Sequence, residues 1–172
     1  MPRTLTRRAL PIEPLSADSF KPFGDVIEAC GNAMTINQGR CHKFNDLTHI
    51  QTDAEGEVAI HIYHTQAIQK PYCIDLLERH PMGSQAFMPL EKQPFLIVVA
   101  PDNNQEPDFN NIRCFATDGS QGINYYPGTW HHPLLSMGSG ISYLVIDRKG
   151  PGQNCDEVLI PEHLSLTVGA QL

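Results

Sequence analysis

Two short segments concentrate the residues whose side chains could do chemistry. In the first, Glu78 and His80 stand two positions apart, so an extended chain would present both on one face. The Pro-Met-Gly sequence that follows predicts a turn, and Gln85 comes just after it. A carboxylate, an imidazole and an amide joined by one bend predict half of a metal or polar-substrate pocket.

The second segment, GTWHHPL at residues 128–134, follows a proline and carries His131 and His132. One histidine of this pair would complete the donor set. Mixed carboxylate, imidazole and amide donors suit a divalent ion such as nickel, manganese or zinc better than a thiolate-preferring ion. The predicted metal ligands are Glu78, His80, Gln85 and His131.

Acid–base catalysis is predicted first for His132, because a neutral imidazole titrates near physiological pH. Adjacent residues on a regular strand face opposite ways, so only one of His131 and His132 can point inward unless the preceding turn distorts the chain. The alternative for His132 is a hydrogen-bonded supporting or interface residue. Tyr126 is the second candidate donor.

A substrate carboxylate would be recognised best by the planar fork of an arginine guanidinium. Three arginines are candidates for this role, and the sequence does not indicate which of them binds the carboxylate. The candidates are Arg40, Arg113 and Arg148.

Composition and charge exclude several classes of partner. The formal net charge is −7 and the pI is about 5.5, with no basic run beyond the N-terminal segment, which argues against nucleic acid and anionic membranes. The longest apolar run, residues 95–100, is too short to span a bilayer. Five cysteines without a close pair predict reduced thiols. We expect a soluble cytoplasmic protein.

The pattern along the chain predicts an all-β fold. Thirteen glycines and 14 prolines imply many turns between short elements. Residues 58–63 alternate in polarity, as a strand does, and residues 73–80 (CIDLLERH) predict another strand that runs into the first motif. Residues 95–100 (FLIVVA) suit a strand buried on both faces. Ser16 should cap a short helix. We predict one domain over residues 1–172, a jelly roll or small β-barrel with a few short helices, and a flexible tail at residues 1–10.

Short motifs in this chain resemble those of cupins, whose barrels carry the patterns H-x-H-(x)3,4-E and P-x-G-x-x-H. In the first pattern, Glu78 stands in place of the first His and Gln85 in place of the Glu. Over residues 15–161, the segments ERHPMGSQAFMPL, TDGSQGINYY, WHHPL and IDRKGPGQNCD resemble the ureidoglycolate lyase family. The resemblance implies a cupin-like homodimer that cleaves (S)-ureidoglycolate to glyoxylate and urea in allantoin degradation, and it implies nickel.

Two other functions stay open at the level of sequence. Metal-bound water could attack the ureido carbonyl, which would release ammonia and carbon dioxide from the same substrate. A non-enzymatic cupin could bind a small acid without turnover. The products of an incubation with ureidoglycolate would distinguish the three.

Overall fold

The computed structural model describes residues 4–169, which form many short strands and two short helical turns. The strands are β1 Thr6–Leu10, β2 Ile12–Pro14, β3 Gly24–Ile27, β4 Met34–Ile36, β5 Cys41–Lys43, β6 Glu57–His64, β7 Tyr72–Ile74, β8 Leu76–Arg79, β9 Gln85–Pro89, β10 Phe95–Ala100, β11 Asp102–Asn103, β12 Glu106–Pro107, β13 Arg113–Ala116, β14 Gly122–Tyr125, β15 Trp130–His131, β16 Leu135–Ser136, β17 Ser142–Lys149, β18 Asp156–Leu159 and β19 Leu164–Val168. Helix α1 spans Ala17–Phe20, and a 3-10 helix spans Phe109–Asn111. Within the described residues, neither is long or apolar enough to cross a membrane.

Three sheets organise the strands. A seven-stranded sheet has the order β18-β8-β15-β10-β13-β2, with β16 also paired to β10. A five-stranded sheet has the order β3-β14-β9-β17-β6, and a three-stranded sheet has the order β1-β19-β7. Two small hairpins, β4-β5 and β11-β12, complete the described part of the chain. This all-β, cupin-like sandwich confirms the predicted fold class.

Strand β10 lies between two hydrophobic cores. Phe95, Ile97 and Val99 belong to a core shared with the five-stranded sheet. Leu96 and Val98, which alternate with them, belong to a second core shared with the three-stranded sheet. All six residues of β10 are buried, so the prediction of a strand covered on both faces is confirmed.

The structure confirms one local prediction and changes another. The side chain of Ser16 caps α1 by accepting a hydrogen bond from the Ser19 amide at 3.3 Å, as predicted. The strand predicted at residues 73–80 is instead two strands, β7 and β8, which belong to different sheets. The chain changes sheets at Asp75, whose carbonyl accepts a hydrogen bond from the Ile160 amide.

The prediction of a flexible tail at residues 1–10 is wrong for Thr6–Leu10. These residues form β1, which pairs in parallel with β19 from Thr6↔Leu164 to Leu10↔Val168. The sequence conceals this strand because only Leu10 is buried, while the rest of TRRAL is polar or exposed. Residues 1–3 lie outside the described residues.

We expect Leu10→Ala to lower the free energy of unfolding by about 3 kcal/mol, because it removes a buried side chain and leaves a cavity. Leu5→Ala is the matched control: Leu5 is 49% exposed, so its loss should change stability by less than about 0.5 kcal/mol. Urea unfolding followed by circular dichroism measures both. Equal effects of the two substitutions would show that β1 does not contribute to the core.

Candidate metal and substrate site

Two cross-strand pairs from opposing sheets form the centre of the site. Glu78 on β8 lies directly opposite His131 on β15 in the seven-stranded sheet. Gln85 on β9 lies directly opposite Tyr125 on β14 in the five-stranded sheet. Residues paired in this way project from the same face of their sheet. The rings of Tyr125 and His131 stack across the gap with centroids 4.1 Å apart, so the two pairs face each other.

His80 joins this group through the turn between β8 and β9. It follows β8, two residues beyond Glu78, so both side chains lie on the same side of the chain. Its carbonyl accepts a hydrogen bond from the Gly128 amide at 2.9 Å, which ties the turn to the segment before β15. The Gly128 φ of +78° suits glycine at that position. One bend therefore brings together the carboxylate, imidazole and amide that the sequence analysis selected.

Arg79 of β8 points to the opposite side of the sheet from Glu78 and holds the strand in place. Arg79 donates hydrogen bonds to Asp156 at 2.8 Å and to Asp102 at 3.2 Å. Its guanidinium also lies over the Trp130 ring, 4.6 Å from the centroid. These contacts link β8 to its neighbours β18 and β15, and so they fix the strand that presents Glu78.

Backbone carbonyls set the protonation of both pocket imidazoles. Nδ1 of His131 lies 2.8 Å from the Thr129 carbonyl, and Nδ1 of His80 lies 2.7 Å from the Asn154 carbonyl. A carbonyl oxygen only accepts, so each Nδ1 carries the hydrogen. In a neutral ring, Nε2 then carries a free lone pair that can bind a metal.

The free lone pairs converge. His131 Nε2 lies 3.4 Å from Glu78 Oε1, and His80 Nε2 lies 3.9 Å from the same oxygen. Both Nε2 atoms and Gln85 Oε1 are buried without a hydrogen-bond partner among the described residues. Two ligands of one ion, each at about 2.1 Å, are separated by at most about 4.2 Å, so these separations fit shared coordination.

Burial and charge favour the metal-binding forms of these groups. Burial lowers the pKa of His131, which keeps its imidazole neutral at physiological pH. Burial raises the pKa of Glu78, whereas the hydrogen bond and charge of a protonated His131, with the charge of a protonated His80, lower it by more, and the pKa of Glu78 lies below its ordinary value. Where His131 is neutral, the Glu78 carboxylate faces its Nε2 lone pair, an arrangement that a cation between them would stabilise.

A neighbouring carboxylate orients the amide of Gln85. Gln85 Nε2 donates to Asp147 Oδ2 at 3.3 Å, and the other oxygen of Asp147 lies 3.2 Å from His61 Nε2. Because a carboxylate accepts the Gln85 NH₂ group, the carbonyl oxygen of Gln85 is left available on the other side. The donor set therefore presents an oxygen at this position.

These groups line a pocket of about 370 Å³, a size that suits a small molecule. Its walls combine the donor residues with tyrosines and apolar side chains. The lining residues are Tyr63, Thr65, Glu78, His80, Gln85, Phe87, Tyr125, His131, Pro133 and Leu134.

The two predicted acid–base residues lie outside this pocket lining. His132 points away from His131, as strand alternation requires, and its ring nitrogens lie 2.7 Å from the Pro133 carbonyl and 3.2 Å from Asp75. Tyr126 donates its hydroxyl hydrogen to Asp25 at 2.7 Å. The structure thus places His132 as a buried hydrogen-bonded residue and Tyr126 in the region around β3, and the acid–base role of each stays a prediction.

The three predicted substrate-binding arginines also lie outside the pocket lining. Arg40 is exposed beside the β4-β5 turn. Arg113 forms a bidentate pair with Glu13, at 2.9 and 2.6 Å. Arg148 is paired with Asp53 and donates to the Pro151 carbonyl. Arg113 and Arg148 are thus already engaged by carboxylates of the chain, and the substrate-binding role of the three arginines stays a prediction.

Tyr125, Tyr63 and Thr65 also line the pocket but are not among the site residues predicted from the sequence. Alternation along β14 was the available signal for Tyr125: Ile123 is a core residue, so the residue two positions later faces the same side. Tyr63 and Thr65 come from β6 and the residue after it, where the side chains are mostly exposed and the sequence gives no sign of a pocket.

The fold and the site together define an all-β, cupin-like protein with a Glu/His/His/Gln pocket. Comparison with known proteins identifies the family. A family profile described as "Ureidoglycolate lyase" matches residues 7–167, and the chain belongs to that family.

Named relatives resemble the chain over most of its length. The ureidoglycolate lyase of Pseudomonas entomophila (strain L48) is 45% identical over 161 residues, covering 92% of this chain and 96% of that protein. That of Pseudomonas fluorescens (strain Pf-5) is 48% identical, covering 90% and 93%. That of Burkholderia mallei (strain NCTC 10229) is 44% identical, covering 96% and 97%.

We expect Arg148→Met to lower the melting temperature by about 5 °C, because Arg148 supports the β8–β9 turn. Its side chain is 1% exposed, and a Cβ built on Gly83 of that turn would lie 2.6 Å from Arg148 Cβ. Lys149→Met, at the exposed neighbouring position, is the control and should leave the melting temperature unchanged. An unchanged melting temperature for Arg148→Met would mean that Arg148 is not structural and would restore it as a substrate-binding candidate.

Proposed function

We propose that this protein is a ureidoglycolate lyase that cleaves (S)-ureidoglycolate into glyoxylate and urea, as a step of allantoin degradation. One observation carries the proposal: in a chain of this family, unpartnered donor atoms of His80, Gln85 and His131 converge with Glu78 on one pocket. Buried polar atoms are nearly always paired, so a ligand bound in this pocket would satisfy these three atoms.

The reaction places defined demands on the pocket. The substrate carries a carboxylate, an α-hydroxyl and a ureido nitrogen on one carbon. In elimination the hydroxyl loses its proton, its oxygen forms the carbonyl of glyoxylate, and the electron pair of the C–N bond leaves with the nitrogen. That nitrogen gains a proton, and urea departs. The site must therefore bind two adjacent oxygens and stabilise a departing ureido group.

We propose that Glu78, His80, Gln85 and His131 hold a divalent ion. These donors fit nickel, manganese or zinc, and family resemblance favours nickel. A bound ion supplies Lewis acidity to the carboxylate and hydroxyl oxygens, which lowers the pKa of the hydroxyl. Second-sphere carbonyls at Thr129 and Asn154 keep the imidazoles oriented toward it.

The remaining walls favour elimination over hydrolysis. Phe87, Pro133 and Leu134 line the pocket, and such apolar side chains reduce the water available for attack on the ureido carbonyl. The described lining contains no lysine or arginine. Substrate binding would therefore rely on the ion that the four-donor set would hold and on neutral hydrogen-bond donors of the pocket.

We further propose that the enzyme is a homodimer, which the exposed strand β6 supports. Val58, Ile60 and Ile62 lie on one face of β6 and are 55%, 68% and 52% exposed. β6 ends the five-stranded sheet, so among the described strands its outer edge has no partner. An exposed apolar face on a strand at the end of a sheet invites packing against the same face of a second copy about a two-fold axis.

A cytoplasmic location is also proposed. All five cysteines are free thiols, and two of them, Cys30 and Cys73, are exposed. Free exposed thiols suit a reducing compartment. The proposed partner is the small-molecule substrate alone, without nucleic acid or membrane.

Metal dependence can be tested on purified protein. Mass spectrometry should find about one divalent ion per chain. Removing it with a chelator should abolish urea release, and His80→Ala should lower both ion content and urea release about 100-fold or more, because a ligand is lost. His42→Ala, which removes an exposed imidazole on β5, is the control and should leave both unchanged.

The same incubation identifies the reaction. Urea without ammonia supports the lyase, and ammonia without urea would replace it by the hydrolase. Binding without either product would leave only a small-acid-binding protein. Full urea release by His80→Ala would refute the proposed site.

Dimerisation through β6 predicts that Ile60→Lys shifts the protein from dimer to monomer, because the buried charge would be unpaired. Leu159→Lys is the matched control: Leu159 is 74% exposed on β18, away from β6. Sedimentation velocity at micromolar concentration measures both. A wild-type monomer, or an Ile60→Lys dimer, would exclude this interface.

A further inference from the structure

Tyr125 lines the pocket and carries a hydroxyl that has no hydrogen-bond partner among the described residues. Its side chain lines the pocket and its residue is 1% exposed. Among the described residues, no group accepts from or donates to its hydroxyl. Buried hydroxyls in proteins are nearly always paired, so this one is available to a molecule that enters the pocket.

Packing fixes the orientation of the Tyr125 ring. One face stacks on His131, with centroids 4.1 Å apart and planes 14° apart. Phe87 and Phe20 contact the ring at centroid distances of 6.0 and 6.1 Å. A donor held rigidly by its neighbours needs little reorganisation when charge develops beside it.

The other polar groups of the lining are occupied or more exposed. The Thr65 hydroxyl is bonded to Ser136 and to the Ile141 carbonyl. The Gln85 NH₂ group donates to Asp147. Tyr63 is 41% exposed at the edge strand. Tyr125 is therefore the buried lining residue with an O–H left to donate.

We propose that the Tyr125 hydroxyl donates a hydrogen bond to the ureido carbonyl oxygen of the substrate. This inference rests on the proposed function. If the ion that the four-donor set would hold binds the carboxylate and α-hydroxyl oxygens, the ureido group is the polar part of the substrate left for Tyr125. When the C–N bond breaks, negative charge spreads from the departing nitrogen to that oxygen. A donor placed there stabilises the transition state more than the ground state.

Tyr125→Phe tests the proposal, because it removes the hydroxyl and keeps the stacked ring. We expect kcat for urea release to fall about 100-fold, as for loss of a single donor to a developing oxyanion. KM should change much less. The bound-ion content and the melting temperature should match the wild type, since neither the donor set nor the stack is altered.

Tyr143→Phe is the matched control. Tyr143 is a fully buried tyrosine of the same five-stranded sheet, packed edge-on against Phe87, and it lies outside the pocket lining. The same chemical change there should leave kcat within about twofold.

Each other outcome overturns the proposal in a distinguishable way. Wild-type kcat in Tyr125→Phe would mean that only the ring matters. Parallel loss of bound ion and activity would make Tyr125 a support for His131 rather than a donor to substrate. A rise in KM alone would mean that the hydroxyl binds the ground state. A wild-type protein that releases no urea would instead refute the proposed function.

Discussion

Lone-pair donors held facing one another inside an apolar core are the constraint on which this structure depends. Glu78 and His131 meet across two strands, and His80 approaches the same oxygen from the following turn. Such groups are costly to bury unpaired. The fold tolerates them because each imidazole gives its hydrogen to a backbone carbonyl and because the convergence suits a cation. Stability and function therefore compete at this place.

Side chains around the site hold the donor residues in position. Arg79 ties β8 to Asp156 and Asp102 on its outer face. Arg148, paired with Asp53, packs against the turn that separates His80 from Gln85. Arg148, a predicted substrate-binding residue, and Arg79 thus act as structural supports. Their carboxylate partners neutralise them, so under the proposed function substrate recognition falls to the ion that the donor set would hold and to neutral groups such as Tyr125.

The alternating polarity of residues 58–63 correctly predicts strand β6 but does not show which of its faces is exposed. Alternation predicts a strand at residues 58–63, and the structure has one at Glu57–His64. The apolar set Val58, Ile60 and Ile62 lies outward, however, while Tyr63 turns toward the pocket. Polarity alone assigns the apolar face to the interior of one chain. An edge strand whose apolar face is covered by a second copy would reverse that assignment.

The sequence by itself determined the all-β class, the doubly buried strand β10 and the capped helix α1, and it selected four residues, Glu78, His80, Gln85 and His131, that the structure brings to one pocket. Period-two alternation, turn residues and side-chain chemistry are local properties, so they can be read along the chain. Only the tertiary structure decided that Tyr125 rather than Tyr126 reaches the pocket, that His132 turns toward Asp75, and that Thr6–Leu10 is a strand. These outcomes depend on which sheet each segment joins and which partner lies opposite, and pairing between residues far apart in sequence leaves no local signal.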